Sequence, residues 1–286
     1  MKNKNLIWLA SYPKSGNTWF RAFLTALFSK DQSININALA YNASMANADY
    51  FEYATQLDIS ELKSAEIDNL KPEVMRSLSA TGDEFIPVKI HDKYRQLDIH
   101  HSIIPLDRTK VVLYFIRNPL DIVVSYAHHD KLTYDRVIER MNENYSLAMT
   151  NNREFPVVSE NLDTWSNHVI SWTNTAPCAV HAIRFEDMLL NGRETFKLAI
   201  MTLGLNIPDS VIYKAVENCK FDKLKEQEQR IPFKEKNPVA DSFFRRGKVG
   251  SWRTLLSTDQ VSQIINDHRE VMRSFGYLDE GDNPLF

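Results

Sequence analysis

The sequence predicts an α/β fold with a parallel central sheet of about four to five strands flanked by helices. Short apolar runs typical of buried strands alternate along the chain with segments whose apolar residues recur at helical spacing. The clearest run is 111–116, where six apolar residues in a row indicate a strand covered on both faces. The other strand candidates are 6–10, 85–90 and 178–185. In such a sheet the functional site is expected at the carboxyl edge.

Helical patterns follow these strand candidates. Aromatic and leucine residues between positions 19 and 28 recur on one face, which predicts the first helix. Pro119 is suited to the first position of a helix, with Asp121 in its first turn, and Pro72 is expected to open a separate short helix in the same way. Further helices are expected near 134–149, 163–173, 192–203, 209–219, 221–226 and 259–275.

Composition excludes several classes of protein. The 286 residues, 43% of them hydrophobic, are enough for one large or two small globular domains. A net charge of −3 argues against a nucleic-acid surface. No apolar run approaches the roughly 18 residues that span a bilayer, which predicts a cytoplasmic protein without a membrane partner. Two cysteines, Cys178 and Cys219, form neither a disulfide framework nor a zinc motif.

A first anion site is expected at residues 11–18, between the first strand and the first helix. A tight turn at Gly16 and a helix starting near Asn17 bring free backbone N–H groups, the helix dipole and Lys14 to one point. The loop is not a Walker A motif, because Lys14 precedes the glycine and the first glycine is missing. An ordinary strand-to-helix turn with an exposed lysine is the alternative.

Two further stretches are candidates for anion binding. Arg117 ends the third strand candidate, and Ser125 lies farther along the helix that Pro119 begins. The alternative for Arg117 is a surface ion pair. Near the C-terminus, guanidinium and backbone groups around two glycines can close on one anion, although a solvated loop is the alternative. The residues of this third stretch are Arg245, Arg246, Gly247, Lys248 and Gly250.

Five motifs together resemble the cytosolic-type, PAPS-dependent sulfotransferase family, where PAPS is 3′-phosphoadenosine 5′-phosphosulfate. They occur in the family's order and are 12–19, 89–91, 117–126, 184–188 and 245–252. The resemblance implies a P-loop-like fold, a single sulfotransferase domain over residues 1–286, and a soluble, bacterial-type member for small-molecule sulfation in secondary metabolism. It also implies PAPS as sulfuryl donor, PAP as product and no required metal.

The resemblance assigns roles residue by residue. His91 resembles the general base, a role that suits an imidazole near neutral pH. Lys14, Lys89 and Ser125 resemble the other catalytic residues. The residues similar to the donor site are Lys14, Ser15, Gly16, Asn17, Thr18, Trp19, Arg117, Ser125, Phe185, Phe221, Leu224, Arg245, Arg246 and Gly247.

Residues near the acceptor and residues near the donor both depart from the family's pattern. Ile90 stands where threonine is usual, Asp92 follows the histidine, Phe185 replaces a tyrosine, and Cys219 stands where a threonine would help to hold the base. The resemblance implies which positions line the acceptor pocket, and acidic and histidine residues stand at them here, which predicts a polar acceptor that can carry positive charge, sulfated on a hydroxyl or an amine. The alternative is that most of these carboxylates point to solvent. The predicted pocket residues are Asp49, Glu52, Asp92, His128, His129 and Asp130. The oligomeric state stays open.

Two other functions remain as alternatives. A P-loop kinase using ATP and Mg²⁺ predicts a glycine-lysine-serine order and a metal-binding carboxylate at a strand end, and neither occurs beside Lys14. A non-catalytic nucleotide-binding module would have no need for Lys89 and His91 at a strand end. Loss of activity in a Lys14 variant would separate these readings.

Overall fold

A computed structural model describes residues 4–149 and 156–286. Within them the chain forms two compact units. The described residues of the first unit are 4–12, 42–114, 144–149 and 156–182, and the second unit comprises Pro13–Tyr41, Phe115–Glu143 and Ile183–Phe286. The chain passes from the first unit to the second near the carboxyl ends of three strands, which are β1 (Leu6–Ser11), β3 (Thr109–Ile116) and β6 (Val180–Arg184).

The other elements follow in chain order. The remaining strands are β2 (Ile86–Ile90), β4 (Ser146–Leu147) and β5 (Glu160–Asn161). The helices are α1 (Asn17–Phe28), α2 (Ala48–Thr55), α3 (Ser64–Ser79), α4 (Pro119–Asp130), α5 (Tyr134–Met141), α6 (Trp165–Ile170), α7 (Phe185–Leu190), α8 (Gly192–Thr202), α9 (Asp209–Asn218), α10 (Phe221–Arg230) and α11 (Thr258–Ser274). Short 3₁₀ helices lie at Ile36–Ala38, Ile59–Glu61 and Ser251–Thr254, and a π-helical turn lies at Ser171–Thr175.

The central sheet confirms the predicted fold class. Its four strands follow the order β2-β1-β3-β6, run parallel and are flanked by helices. β1 pairs with β2 from Leu6 opposite Ile86 to Ala10 opposite Ile90. Every residue of β1 is buried, as its continuous apolar sequence predicts for a strand covered on both faces. A separate antiparallel pair joins β4 to β5.

Helix α3 in the first unit corrects one sequence prediction. Pro72 lies inside this 16-residue helix instead of opening a new one. A proline there removes one backbone hydrogen bond and usually kinks the helix. Burial of Ile67, Val74 and Met75 on the same helix, together with an ion pair of the buried Lys71, stabilises the helix against that cost.

In the second unit, two carboxylates hold the segment that follows α10. Glu228, near the end of α10, accepts hydrogen bonds from the backbone N–H groups of Phe243 (2.7 Å) and Phe244 (2.8 Å). Asp121 in α4 accepts from the N–H groups of Gly250 (2.8 Å) and Trp252 (3.2 Å). These contacts fix the basic stretch 245–248 at both of its ends. In the described part of the chain, no helix has the length and apolar character needed to cross a membrane.

Candidate active site

The loop between β1 and α1 has the strained backbone of a ligand-binding turn. Lys14 has φ 72° and Gly16 has φ 102°, so both lie in the left-handed region, which is costly for a lysine. A Cβ on Gly16 would lie 2.7 Å from the Met188 side chain and 2.9 Å from the Phe185 ring, so only glycine fits. α1 begins directly after this turn without a side-chain cap, which leaves its first N–H groups facing the loop.

Ser15 supports the same interpretation. Its side chain is only 1% exposed, and within the described part of the chain its hydroxyl has no hydrogen-bond partner. A buried polar group normally has a partner, because leaving it without one costs about 1–3 kcal/mol. A phosphate or sulfate oxygen bound in the loop would supply that partner.

Arg117, just past the end of β3, connects the loop to the rest of the second unit. Its Nη1 donates to the carbonyl oxygen of Lys14 at 3.1 Å, and its guanidinium lies 4.2 Å from the centre of the Phe185 ring. Its Nη2 lies 3.5 Å from the carbonyl oxygen of Lys248. One arginine therefore contacts both the Lys14 loop and the basic stretch. The sequence assigned Lys14, Arg117 and Phe185 to the donor site, and Lys248 to the third anion-binding stretch.

The basic stretch lines a cavity of about 380 Å³. The residues around it are Lys225, Arg245, Arg246, Lys248, Val249, Gly250 and Ser251. Burial lowers the pKa of Arg245, and the positive charges of Arg246 and Arg117 lower it further. Arg245 also lies next to α4, with its Nη2 3.5 Å from the carbonyl oxygen of Val124, the residue before Ser125. A bound anion would relieve this crowding of positive charge.

The positive potential extends to Lys14. Its Nζ lies 4.3 Å from the centre of the Phe243 ring, a cation–π contact. Burial lowers the pKa of His128, and the charges of Arg245 and Lys14 add to that effect. His128 Nε2 lies 3.1 Å from the Ser242 carbonyl oxygen, so in the neutral ring this nitrogen carries the proton. The cations of the loop and of the basic stretch therefore act on the same region of the second unit.

The predicted base-binding residues also lie in the second unit. The Trp19 indole donates to the carbonyl oxygen of Cys219 at 2.7 Å and meets Phe185 edge-on, with ring centres 5.7 Å apart. A Cβ on Gly247 would lie 2.2 Å from the Phe221 ring, so the basic stretch passes directly over that ring. Leu224, one turn farther along α10, is completely buried. Burial raises the pKa of the Cys219 thiol to about 12, so this side chain stays neutral.

His91 follows β2 in the first unit. Its Nδ1 lies 2.7 Å from the carbonyl oxygen of Ser11, which can only accept, so in the neutral ring Nδ1 carries the proton and Nε2 the lone pair. Its backbone N–H donates to Glu160 at 2.7 Å. Its carbonyl oxygen accepts from His168 Nε2 at 3.0 Å. The imidazole thus has the tautomer that a general base acting through Nε2 needs.

Sequence reasoning missed three charged residues of the unit that contains His91, namely Lys71, Asp68 and Glu160. Lys71 is fully buried, and its Nζ lies 2.7 Å from Asp92 and 3.0 Å from Asp68. Burial alone would lower the pKa of Lys71, but the charges of Asp92 and Asp68 outweigh it and raise that pKa. Burial raises the pKa of Glu160 to about 7, the Asp92 charge acts in the same direction, and the charge of Lys89 opposes it. Neither Lys71 nor Glu160 lies within an apolar run of the sequence, so no local pattern marked them as buried.

Two of the predicted acceptor carboxylates are already paired with donors of their own unit. Asp92 is completely buried, and its two oxygens contact Lys71 at 2.7 Å and Arg95 at 3.2 Å. Asp130 accepts from Arg140 at 2.6 Å and lies 2.8 Å from His129 Nδ1. Both carboxylates are therefore engaged with the protein's own donors. Two more are exposed on α2 of the first unit, namely Asp49 and Glu52.

A strained lysine loop at a strand-to-helix junction, together with a basic cavity in the same unit, is the arrangement expected of an anion-binding site in a parallel α/β protein. The sequence profile of the sulfotransferase domain family matches residues 4–276, and the chain belongs to that family. The predicted family and the predicted enzyme class, a sulfotransferase, are confirmed. Family membership speaks against the kinase alternative.

Curated relatives cover nearly the whole chain. Sulfotransferase 1A1 of Rattus norvegicus is 23% identical over 92% of this chain and 83% of its own length. Cytosolic sulfotransferase 17 of Arabidopsis thaliana is 23% identical over 96% of this chain and 76% of its own length.

Solved structures share the fold. Mouse sulfotransferase SULT7A1 complexed with PAP has a TM-score of 0.62 and 21% identity, covering 94% of this chain and 84% of that one. Retinol dehydratase in complex with androsterone and inactive cofactor PAP has a TM-score of 0.60 and 20% identity, covering 94% and 80%. In the described residues of this chain, no group of three or more His, Cys, Asp or Glu side chains could hold a metal ion.

Proposed function

We propose that the protein transfers the sulfuryl group of PAPS to a hydroxyl or amine of a small-molecule acceptor and releases PAP. The bond between sulfur and the 5′-phosphate oxygen breaks, and a bond from sulfur to the acceptor forms. The observation that carries this proposal is the convergence, in the second unit, of the Lys14 loop, Arg117 and the basic cavity. Related sulfotransferase structures hold PAP, which supports the same donor here.

The donor-site chemistry fits a ligand with anionic groups at two ends. We assign residues 14–18 to the 5′-phosphosulfate, because strained backbone, helix N–H groups and the Ser15 hydroxyl all face that loop. We assign Arg117, Ser125 and the 245–247 stretch to the 3′-phosphate, because the positive charges of Arg117, Arg245 and Arg246 act on one another there. The adenine is assigned to the aromatic and apolar residues Trp19, Phe185, Phe221 and Leu224.

The proton transfer is assigned to His91 in the first unit. Its Nε2 would accept the proton of the acceptor hydroxyl, while the Ser11 carbonyl holds the opposite nitrogen and fixes the ring. Lys89, two residues earlier on β2, and Lys14 would stabilise negative charge on the transferred sulfuryl oxygens and the leaving phosphate. Ser125 is retained as a further catalytic candidate. We propose that no metal is needed, because these fixed cations serve that purpose.

The set of candidate acceptor contacts changes, because two of its carboxylates are already paired. We keep a polar small-molecule acceptor and retain Asp49, Glu52, His128 and His129 as candidate contacts. Asp92 and Asp130 leave that set, because the protein's own cations already neutralise them. We also propose that both units act as one sulfotransferase domain, since the family match spans them, and that the protein is cytosolic like the plant relative named above.

The decisive experiment combines binding and turnover. Calorimetry should give a much higher affinity for PAP than for AMP, because only PAP carries a 3′-phosphate for the arginines. Each charge-assisted contact to it contributes about 1.5–3 kcal/mol. Purified protein with PAPS and a library of hydroxyl and amine compounds should yield a product heavier by one sulfuryl group. Equal affinities for PAP and AMP would refute the donor assignment, and strict dependence on Mg²⁺ and ATP would favour a kinase.

A further inference from the structure

Glu160 contacts His91 across 69 residues of sequence. The carboxylate is 5% exposed, and its Oε1 accepts the His91 backbone N–H at 2.7 Å. Burying a carboxyl group is costly, and a neutral acceptor would satisfy one backbone N–H equally well. What Glu160 provides at this place is therefore the reach of its side chain to the His91 N–H, which does not depend on its charge.

The segment that carries Glu160 is fixed against the residues around His91. The Ser159 carbonyl accepts from Lys71 Nζ at 2.7 Å. The Asn161 N–H donates to Asp92 Oδ1 at 2.8 Å, and the Asn161 carbonyl accepts from the Lys93 N–H at 2.8 Å. Residues on both sides of Glu160 are thus bonded to α3 or to 92–93, which leaves the carboxylate little freedom to move.

His91 itself depends on such contacts for its position. It follows Ile90, the last residue of β2. Its backbone N–H is bonded to Glu160, its carbonyl oxygen to His168, and its ring Nδ1 to Ser11. The charges of Asp92, Lys89 and Lys71 act on Glu160 from the same unit, so the carboxylate is also coupled electrostatically to the neighbouring lysine of β2.

We propose that Glu160 is a positioning residue, which holds the His91 backbone so that the imidazole is aligned for proton abstraction. This inference rests on the proposed role of His91 as general base. Glu160 touches neither donor nor acceptor in this scheme and acts only through His91. Displacement of a catalytic group by about 1 Å can cost on the order of 10²-fold in rate, which sets the scale of the effect.

Two variants separate the effect of the length of the Glu160 side chain from the effect of its charge. Glu160→Gln keeps an acceptor oxygen at the same distance but removes the charge, whereas Glu160→Asp keeps the charge and is one methylene too short to reach the His91 N–H. We expect Glu160→Gln to retain kcat within about 3-fold, and Glu160→Asp to lose about 10- to 100-fold, with KM for PAPS and PAP affinity unchanged. Glu84→Asp, at an exposed glutamate of the same unit, is the matched control and should equal wild type.

A second readout does not depend on activity. In ¹⁵N-labelled protein, the His91 amide resonance should shift with an apparent pKa of about 7 as Glu160 ionises, and this titration should disappear in Glu160→Gln. An identical pH profile of the His91 amide in wild type and Glu160→Gln would overturn the contact. Melting temperature and PAP calorimetry establish that each variant is folded.

The outcomes distinguish this inference from the proposed function. Wild-type kcat in Glu160→Asp, in a protein that transfers sulfuryl groups and loses activity on His91→Ala, overturns the positioning role alone. Equal loss in the Gln and Asp variants also overturns it, because a variant that keeps the reach would then fail as badly as one that loses it. No transfer by the wild type with any acceptor, together with PAP bound no better than AMP, overturns the proposed function and this inference with it.

Discussion

Replacing Arg245 with alanine tests the 3′-phosphate assignment most directly. The arginine is half-buried, lines the basic cavity and carries a pKa lowered by burial and by the charges of Arg246 and Arg117. Its removal relieves repulsion in the free protein, so we expect no fall in the melting temperature. Only the affinity for a ligand that carries a 3′-phosphate should fall.

The magnitude follows from the strength of one charge-assisted contact. A loss of about 1.5–3 kcal/mol corresponds to a roughly 10- to 140-fold weaker Kd for PAP. AMP has no 3′-phosphate, so its affinity should change less than about 3-fold in the same variant. The difference between the two ligands isolates the contact from any general change in the site.

The assay is calorimetry with PAP and AMP, at low and at moderate salt, on wild type and two variants. Arg230→Ala is the matched control, because Arg230 is an exposed arginine of the same unit whose partner is Glu226. It should leave both affinities unchanged. Equal weakening of PAP and AMP by Arg245→Ala would refute the assignment of this residue to the 3′-phosphate.

Three further predictions concern catalysis, packing and pH. His91→Ala should reduce turnover by about 10²- to 10⁴-fold with PAP affinity unchanged, and wild-type kcat would mean that another base acts. Gly247→Ala should abolish PAP binding in calorimetry, because its Cβ would lie 2.2 Å from the Phe221 ring. Gly82→Ala is the control: Gly82 has φ 100° and a Cβ there would have no atom within 4 Å. That variant should add only backbone strain and leave PAP binding intact. Burial lowers the pKa of His168 to about 4, so the stability that this group contributes should be lost as pH falls from about 6.5 through 4. Denaturant unfolding at several pH values should show that the free energy of unfolding falls less steeply with acid in His168→Gln than in wild type. Parallel curves of this free energy against pH would argue against a buried neutral histidine.

Local sequence was sufficient to predict the four strands of the central sheet, the turn around Lys14 and the basic stretch. Each depends on residues close together in the chain: an apolar run for a buried strand, a glycine at a left-handed turn, or basic residues beside glycines. The structure has four parallel strands where the apolar runs predicted them, and Gly16 and Gly247 both have positive φ. The five motifs also identified the family correctly.

Only the tertiary structure showed the burial and the partners of the charged residues in the first unit. Neither the buried ion pair of Lys71 with Asp92 nor the bond from His91 to Glu160 has a local signature, because their partners lie 21 and 69 residues apart. Packing between distant segments also explains two differences from the sequence prediction. Pro72 stays within α3, and Asp92 is neutralised by an ion pair inside the first unit. A sequence pattern identifies a charged residue, but its desolvation and its partners arise only when distant segments pack together.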